Sequence, residues 1–196
     1  MSRMLEVLDR IRALEIELER ELQAAQERWH YRIESGKVRF EAEVYRHHRR
    51  LRTSIRRFLR ESYIPSLLSA PIIYSVAIPF VLLDAWISLY QLVCFPIYGI
   101  PRVRRADYIA IDRYKLAYLN GIEKANCDYC SYANGLLAYA REVAARTEQY
   151  WCPIRHARRV RAPHPRYREF VEYGDAEGYH RQLPMLRREL RDEKRS

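Results

Sequence analysis

The chain has 196 residues, 48% hydrophobic and 31% charged, with a net charge of +10 and four cysteines. That is one domain, or one domain with an appended arm, and its composition is that of a folded chain rather than a disordered one. The basic balance calls for an anionic partner, either nucleic acid or a membrane surface, and excludes neither by itself.

The opening run "MSRMLEVLDRIRALEIELER" has no apolar core of the signal-peptide kind, so no cleaved signal is expected. Residues 3–34 read as a helix. Val7, Ile11, Leu14, Leu18, Leu22, Ala25 and Trp29 step by three or four, which makes a heptad-like seam. Such a seam serves a homodimer or a partner helix; equally, it packs on its own domain, because so short a seam is marginal alone. Ser35-Gly36 interrupts it and closes a first segment, 1–36.

A second helix is expected from about Val38 to Arg60, within a basic juxtamembrane segment, 37–61. Val44, Tyr45, His48, Leu51, Ile55, Phe58 and Leu59 share one side, and the other side is dense in arginine. Arg49, Arg50, Arg56 and Arg57 belong to that face, with Arg102, Arg104 and Arg105 on the far flank of the next segment. These seven are candidate contacts for anionic lipid headgroups. The alternative is a solvated charged face.

From Ser62 to Pro101 the only charged residue is Asp84. The run exceeds the roughly 20 apolar residues that span a bilayer. Basic flanks on both sides place both termini in the cytoplasm by the positive-inside rule. Segment 62–101 is therefore expected to be a proline-broken hairpin, turning near Pro79 to Asp84. Asp84, Ser88 and Gln91 fall at i, i+4 and i+7, a polar stripe on one helix face. An acid at membrane depth is a candidate site; the plainer reading has Asp84 capping the second arm of the hairpin.

Segment 102–180 reads as soluble, and 181–196 as a charged tail. "DYIAIDRYKLAYLNGIEKAN" and "GLLAYAREVAARTEQYW" both carry helical periodicity, and "NCDYCSYANG" lies between them. That pattern predicts an αα-hairpin with Cys127 and Cys130 at its tip. Cys152 and His156 follow in "WCPIRH". Together these four make a Cys3His set, suited to zinc, with an iron–sulfur cluster as the alternative. Metal-free thiols or unrelated buried cysteines are the plain readings, and Cys94 in the apolar run belongs with the latter. Distance is the objection. An unbroken helix over 134–150 would hold its ends about 25 Å apart. Either that helix breaks near Arg146, or two chains complete each other's sites.

There is no Gly-rich phosphate loop, Gly-x-Ser-x-Gly or His-Glu-x-x-His, so no catalytic residue is assigned. The basic run from Arg155 to Arg168 suits nucleic acid, but a juxtamembrane setting makes lipid headgroups the more economical partner. The run "NCDYCSYANGLLAYAREVAARTEQYWCPIRHARR", with "FPIYGIPRVRRADYIAIDRYKLAYLN" before it, resembles a family of bacterial membrane-associated proteins to which no activity is attached. The resemblance covers Tyr63 to Tyr179, and implies only that Cys127, Cys130, Cys152 and His156 belong together.

The expected protein is all-α and membrane-associated, in the bacterial cytoplasmic membrane. It has amphipathic N-terminal helices, a membrane hairpin and a cytosolic helical hairpin domain with a Cys3His site. The expected function is a non-enzymatic, membrane-tethered zinc-binding structural or assembly protein. The alternative is a redox protein using an iron–sulfur centre or reactive thiols.

Overall fold

A computed structural model describes residues 2–28, 31–34 and 37–193. The protein is mostly helical, as expected. It divides into two compact units, one of Met1–Glu61 with Asp112–Asn126, the other of Ser62–Ile111 with Cys127–Ser196.

In the first unit, α1 spans Ser2–Arg28. Leu14, Leu18 and Leu22 of the predicted seam are exposed on it. The side chains of Val7 and Ile11, and all of Trp29, lie outside the described residues, as do Ser35 and Gly36. The expected helix to residue 34 stops earlier. Tyr31–Glu34 (β1) and Lys37–Phe40 (β2) form an antiparallel ribbon, with Tyr31 opposite Phe40 and Ile33 opposite Val38. Alternating β-branched and aromatic residues suit a strand better than the helix assigned to them. The expected helix from Val38 is likewise divided, into α2 (Ala42–Arg50) and α3 (Ile55–Glu61). His48 packs edge-on against both Phe40 and Tyr118.

The second unit opens with α4 (Ile64–Ser75) and α5 (Ala77–Tyr98). The predicted hairpin is absent. Val76, between the two helices, keeps right-handed dihedrals (φ −65°, ψ −16°), and Ile64–Tyr98 forms one apolar 35-residue helical stretch. Pro79 explains the small break, because its ring crowds the carbonyl four residues back, at Ser75, and it has no N–H to donate there. Gly99, left-handed at φ 71°, ends α5, and the Ile100 N–H returns to the Phe95 carbonyl at 2.9 Å.

The largest departure from expectation is α6, unbroken over Gly121–Trp151. The predicted αα-hairpin does not form. Residues 108–120 hold a single short 3-10 turn, Arg113–Lys115, and the Cys-x-x-Cys run is helical throughout. Asn120 starts the helix. Its Oδ1 accepts from the Ile122 and Glu123 N–H groups at 2.9 and 3.1 Å, while Glu123 accepts from the Asn120 N–H at 2.8 Å. This is a reciprocal capping box. Pro153, fully buried, stops the other end.

After α6 the chain runs extended. Val171 donates to the Pro153 carbonyl at 2.9 Å and accepts from the Arg155 N–H at 2.7 Å. Helix α7 (Ala176–Asp192) begins inside the segment expected to be soluble domain, capped by Asp175 on the Gly178 N–H. The core of this unit is Phe95, Ile100, Val103, Leu136, Tyr139, Val143 and Leu190. Each such large side chain contributes about 1.5–3 kcal/mol by leaving water.

Candidate functional site

Helix α5 has two faces of opposite chemistry. One is turned inward. Phe80, Leu83, Ile87, Gln91, Phe95 and Tyr98 recur every three or four residues and meet α6 and the core. The other is turned outward. Ile64, Leu68, Ile72, Ile78, Leu82, Trp86, Leu89, Val93 and Ile97 continue it along both α4 and α5, all exposed, with Trp86 at 74%. A contiguous apolar surface this long is a candidate interaction site.

Helices α5 and α6 run parallel. Phe80 meets Tyr129, Asp84 accepts from the Tyr132 hydroxyl at 2.9 Å, Gln91 bonds the Tyr139 hydroxyl, and Tyr98 packs on Tyr150. The inward face carries the whole predicted stripe. Asp84 does not cap a helix; it lies within α5, bidentate to Arg105 at 2.6–3.2 Å, and receives the Ser88 hydroxyl at 3.5 Å. Arg105, expected at the lipid surface, is thus committed to Asp84.

Gln91, three residues further round, is buried and binds backbone. Its Oε1 accepts from the Val103 N–H at 3.0 Å, and its Nε2 donates to the Val103 carbonyl at 3.3 Å. The stripe therefore fastens the chain after α5 to the side of α5.

Arg102 has a task that the sequence did not announce. Pro96 cannot donate to the carbonyl of Leu92, and Arg102 Nη2 supplies that bond at 3.1 Å. Its guanidinium therefore sits at the edge of the apolar face. Arg104 is the freest of this group, 81% exposed with a 3.8 Å contact to Asp107. Arg49, Arg50, Arg56 and Arg57 are exposed on α2 and α3, and Arg57 pairs with Glu61 at 2.8 Å.

The four expected metal ligands are not brought together within one chain. Cys127 and Cys130 lie one turn apart on α6, and Cys130 is exposed. Cys152 follows the opposite end, about 30 Å away along the axis. The His156 ring stacks on Tyr167, and the His156 backbone N–H donates to the Tyr167 hydroxyl at 2.6 Å. His164, the next histidine along the chain, faces Glu148 at 2.9 Å. Among the described residues, no group of three or more His, Cys, Asp or Glu side chains could hold a metal ion. Cys94 is half-buried on α5.

A partly buried ion cluster escaped sequence reading altogether. Arg166 pairs with Glu142 at 2.9 Å and Glu193 at 2.7 Å, and donates to Gln149 at 2.8 Å. Arg146 joins it through Glu142 at 2.8 Å and reaches the Pro101 carbonyl at 2.8 Å. Burial alone would lower the Arg166 pKa, but Glu193 and Glu142 outweigh it and hold the group above its usual range. The Arg166 hydrogen bond in turn holds the Glu193 carboxyl below the usual range. Two arginines and two glutamates balance, so the cluster ties α6, α7 and two loops together without offering a net charge.

No family model matches this chain, and no curated protein or solved structure is similar to it.

Proposed function

We propose that this chain is a non-enzymatic, membrane-anchored scaffold, held to an anionic bilayer by the outward face of α4 and α5. One observation carries the reading. Ile64–Tyr98 is long and apolar enough to cross a membrane, and none of its most apolar window is buried in the fold. A soluble protein would cover such a face. Basic residues at Arg102 and Arg104 favour anionic lipid over a neutral apolar partner. Both termini then lie on the cytoplasmic side of a bacterial inner membrane.

The full-length protein should stay in the membrane fraction through a carbonate wash. Leu82→Glu and Trp86→Glu, on exposed positions, should release it without unfolding it. Wild-type protein that stays soluble and monodisperse without detergent would overturn the reading.

A second reading rests on Cys127 and Cys130, two thiols one turn apart on a helix. They would supply half of a zinc site. An antiparallel second copy would bring its own Cys152 and His156 alongside, because the two half-sets sit at opposite ends of α6. Zinc, or iron with labile sulfide in the redox version, should then copurify with dimer. Mixing a Cys127→Ser/Cys130→Ser chain with a Cys152→Ser/His156→Ala chain should restore one full ligand set. Metal-free protein purified without oxygen would dismiss it.

A further inference from the structure

We infer that α4 and α5 lie in the plane of one leaflet, seated by their outward face, and do not cross the bilayer. The inference rests on the membrane-anchor reading and specifies its geometry. The outward stripe Ile64, Leu68, Ile72, Ile78, Leu82 and Trp86 is apolar along its length. The opposite side of the same helix is polar at its middle, where Asp84 holds Arg105 at 2.6 Å and the Tyr132 hydroxyl at 2.9 Å.

An upright helix would put that ion pair near the bilayer centre, with Arg105 47% exposed to hydrocarbon. It would also draw α6 into the membrane, since α6 runs alongside and carries Arg141, Glu142 and Arg146. Lying flat, α5 presents its apolar side to lipid, with Asp84 and Gln91 turned toward α6, and α6 stays in water.

Length and edges agree. The 35-residue stretch is about 50 Å long at 1.5 Å per residue, well beyond a hydrocarbon core of about 30 Å. Trp86 stands mid-stripe and 74% exposed; an indole belongs at headgroup level, which mid-stripe is only when the helix lies flat. Arg102, fixed on the Leu92 carbonyl beside the exposed Leu92 and Val93, sets a cation at the rim of the same face. That charge names the occupant as an anionic bilayer. Both termini then share one side without a second pass.

The test uses full-length protein carrying Trp29→Phe and Trp151→Phe, so that Trp86 is the only indole. Vesicles of phosphatidylcholine and phosphatidylglycerol contain lipids brominated at shallow or deep acyl positions. Flotation with the vesicles, and stronger quenching of Trp86 by shallow bromines, is the expected result. Arg104→Gln should weaken binding about fivefold at low salt, with the same quenching depth. Flotation with stronger deep quenching means a spanning helix, and overturns the in-plane inference while leaving the anchor intact. Protein that does not float, with Trp86 shielded in a soluble dimer, means that a second copy covers the face, and overturns both.

Discussion

The side-chain amide of Gln91 pairs with both backbone groups of Val103, accepting at 3.0 Å and donating at 3.3 Å. A glutamine in an apolar helix thereby does what a neighbouring strand would do, and Tyr139 shares its Nε2. Gln149 repeats the device on α6, donating to the Leu186 carbonyl at 3.1 Å and accepting from Arg166.

Gln91→Leu keeps the bulk but strands the Val103 N–H and carbonyl in the core. Each buried group left unpaired costs about 1–3 kcal/mol. The variant should unfold at lower denaturant in detergent, and amide exchange at Val103 should accelerate. Unchanged exchange there would show that the amide pairing contributes little.

Gly135→Ala tests the closest backbone approach in the second unit. A Cβ at Gly135 would stand 2.6 Å from the Tyr108 carbonyl oxygen and 2.9 Å from Ile109 Cα. Overpacking of this kind costs about 1–3 kcal/mol. Gly121→Ala is the control, because its Cβ would meet only Ile55 Cδ1 at 3.8 Å, ordinary contact. Its melting temperature should hold or rise, while that of Gly135→Ala falls.

The ion cluster predicts acid sensitivity of α7. The folded-state pKa of Glu193 lies below its unfolded value of about 4.3. The stability it contributes is therefore present above that unfolded value, and is lost as pH falls through the lower folded one. Proteolysis within α7 should increase in acid, below about pH 4. Glu193→Gln should loosen α7 at neutral pH and flatten this part of the profile. The effect is modest, because the Glu193 side chain is 42% exposed.

The cysteines should behave as two separate groups in a single chain. Alkylation of Cys130 should leave the reactivity of Cys152 unchanged in monomeric protein, since α6 keeps them apart. Coupled reactivity would require a second chain, and should vanish on dilution.

What could be read from the sequence followed from composition and local spacing. The apolar run shows itself because one charge in forty residues leaves little room for another reading. The stripe Asp84, Ser88 and Gln91 shows itself by its i, i+4, i+7 spacing. What that stripe binds does not, because Arg105 and Val103 reach it through a chain reversal that no local pattern encodes. The αα-hairpin expectation took Cys-x-x-Cys for a turn. Nothing between Gly121 and Trp151 breaks a helix except Gly135, and the readable signal was the Asn120–Glu123 capping pair just upstream. Arg166 reaches partners 17 to 27 positions away, and those pairings leave no trace in any short window.

The parallel course of α5 and α6 also sets a timetable. Asp84 waits for Tyr132, 48 residues downstream. At ribosomal rates of about 5–20 residues per second, that gap is roughly 2–10 seconds. Through that interval the nascent α5 has no α6 to shelter its inward side, while its outward side is complete. If α5 lies in lipid as we propose, adsorption precedes tertiary folding, and α6 closes down on a helix already seated at the membrane.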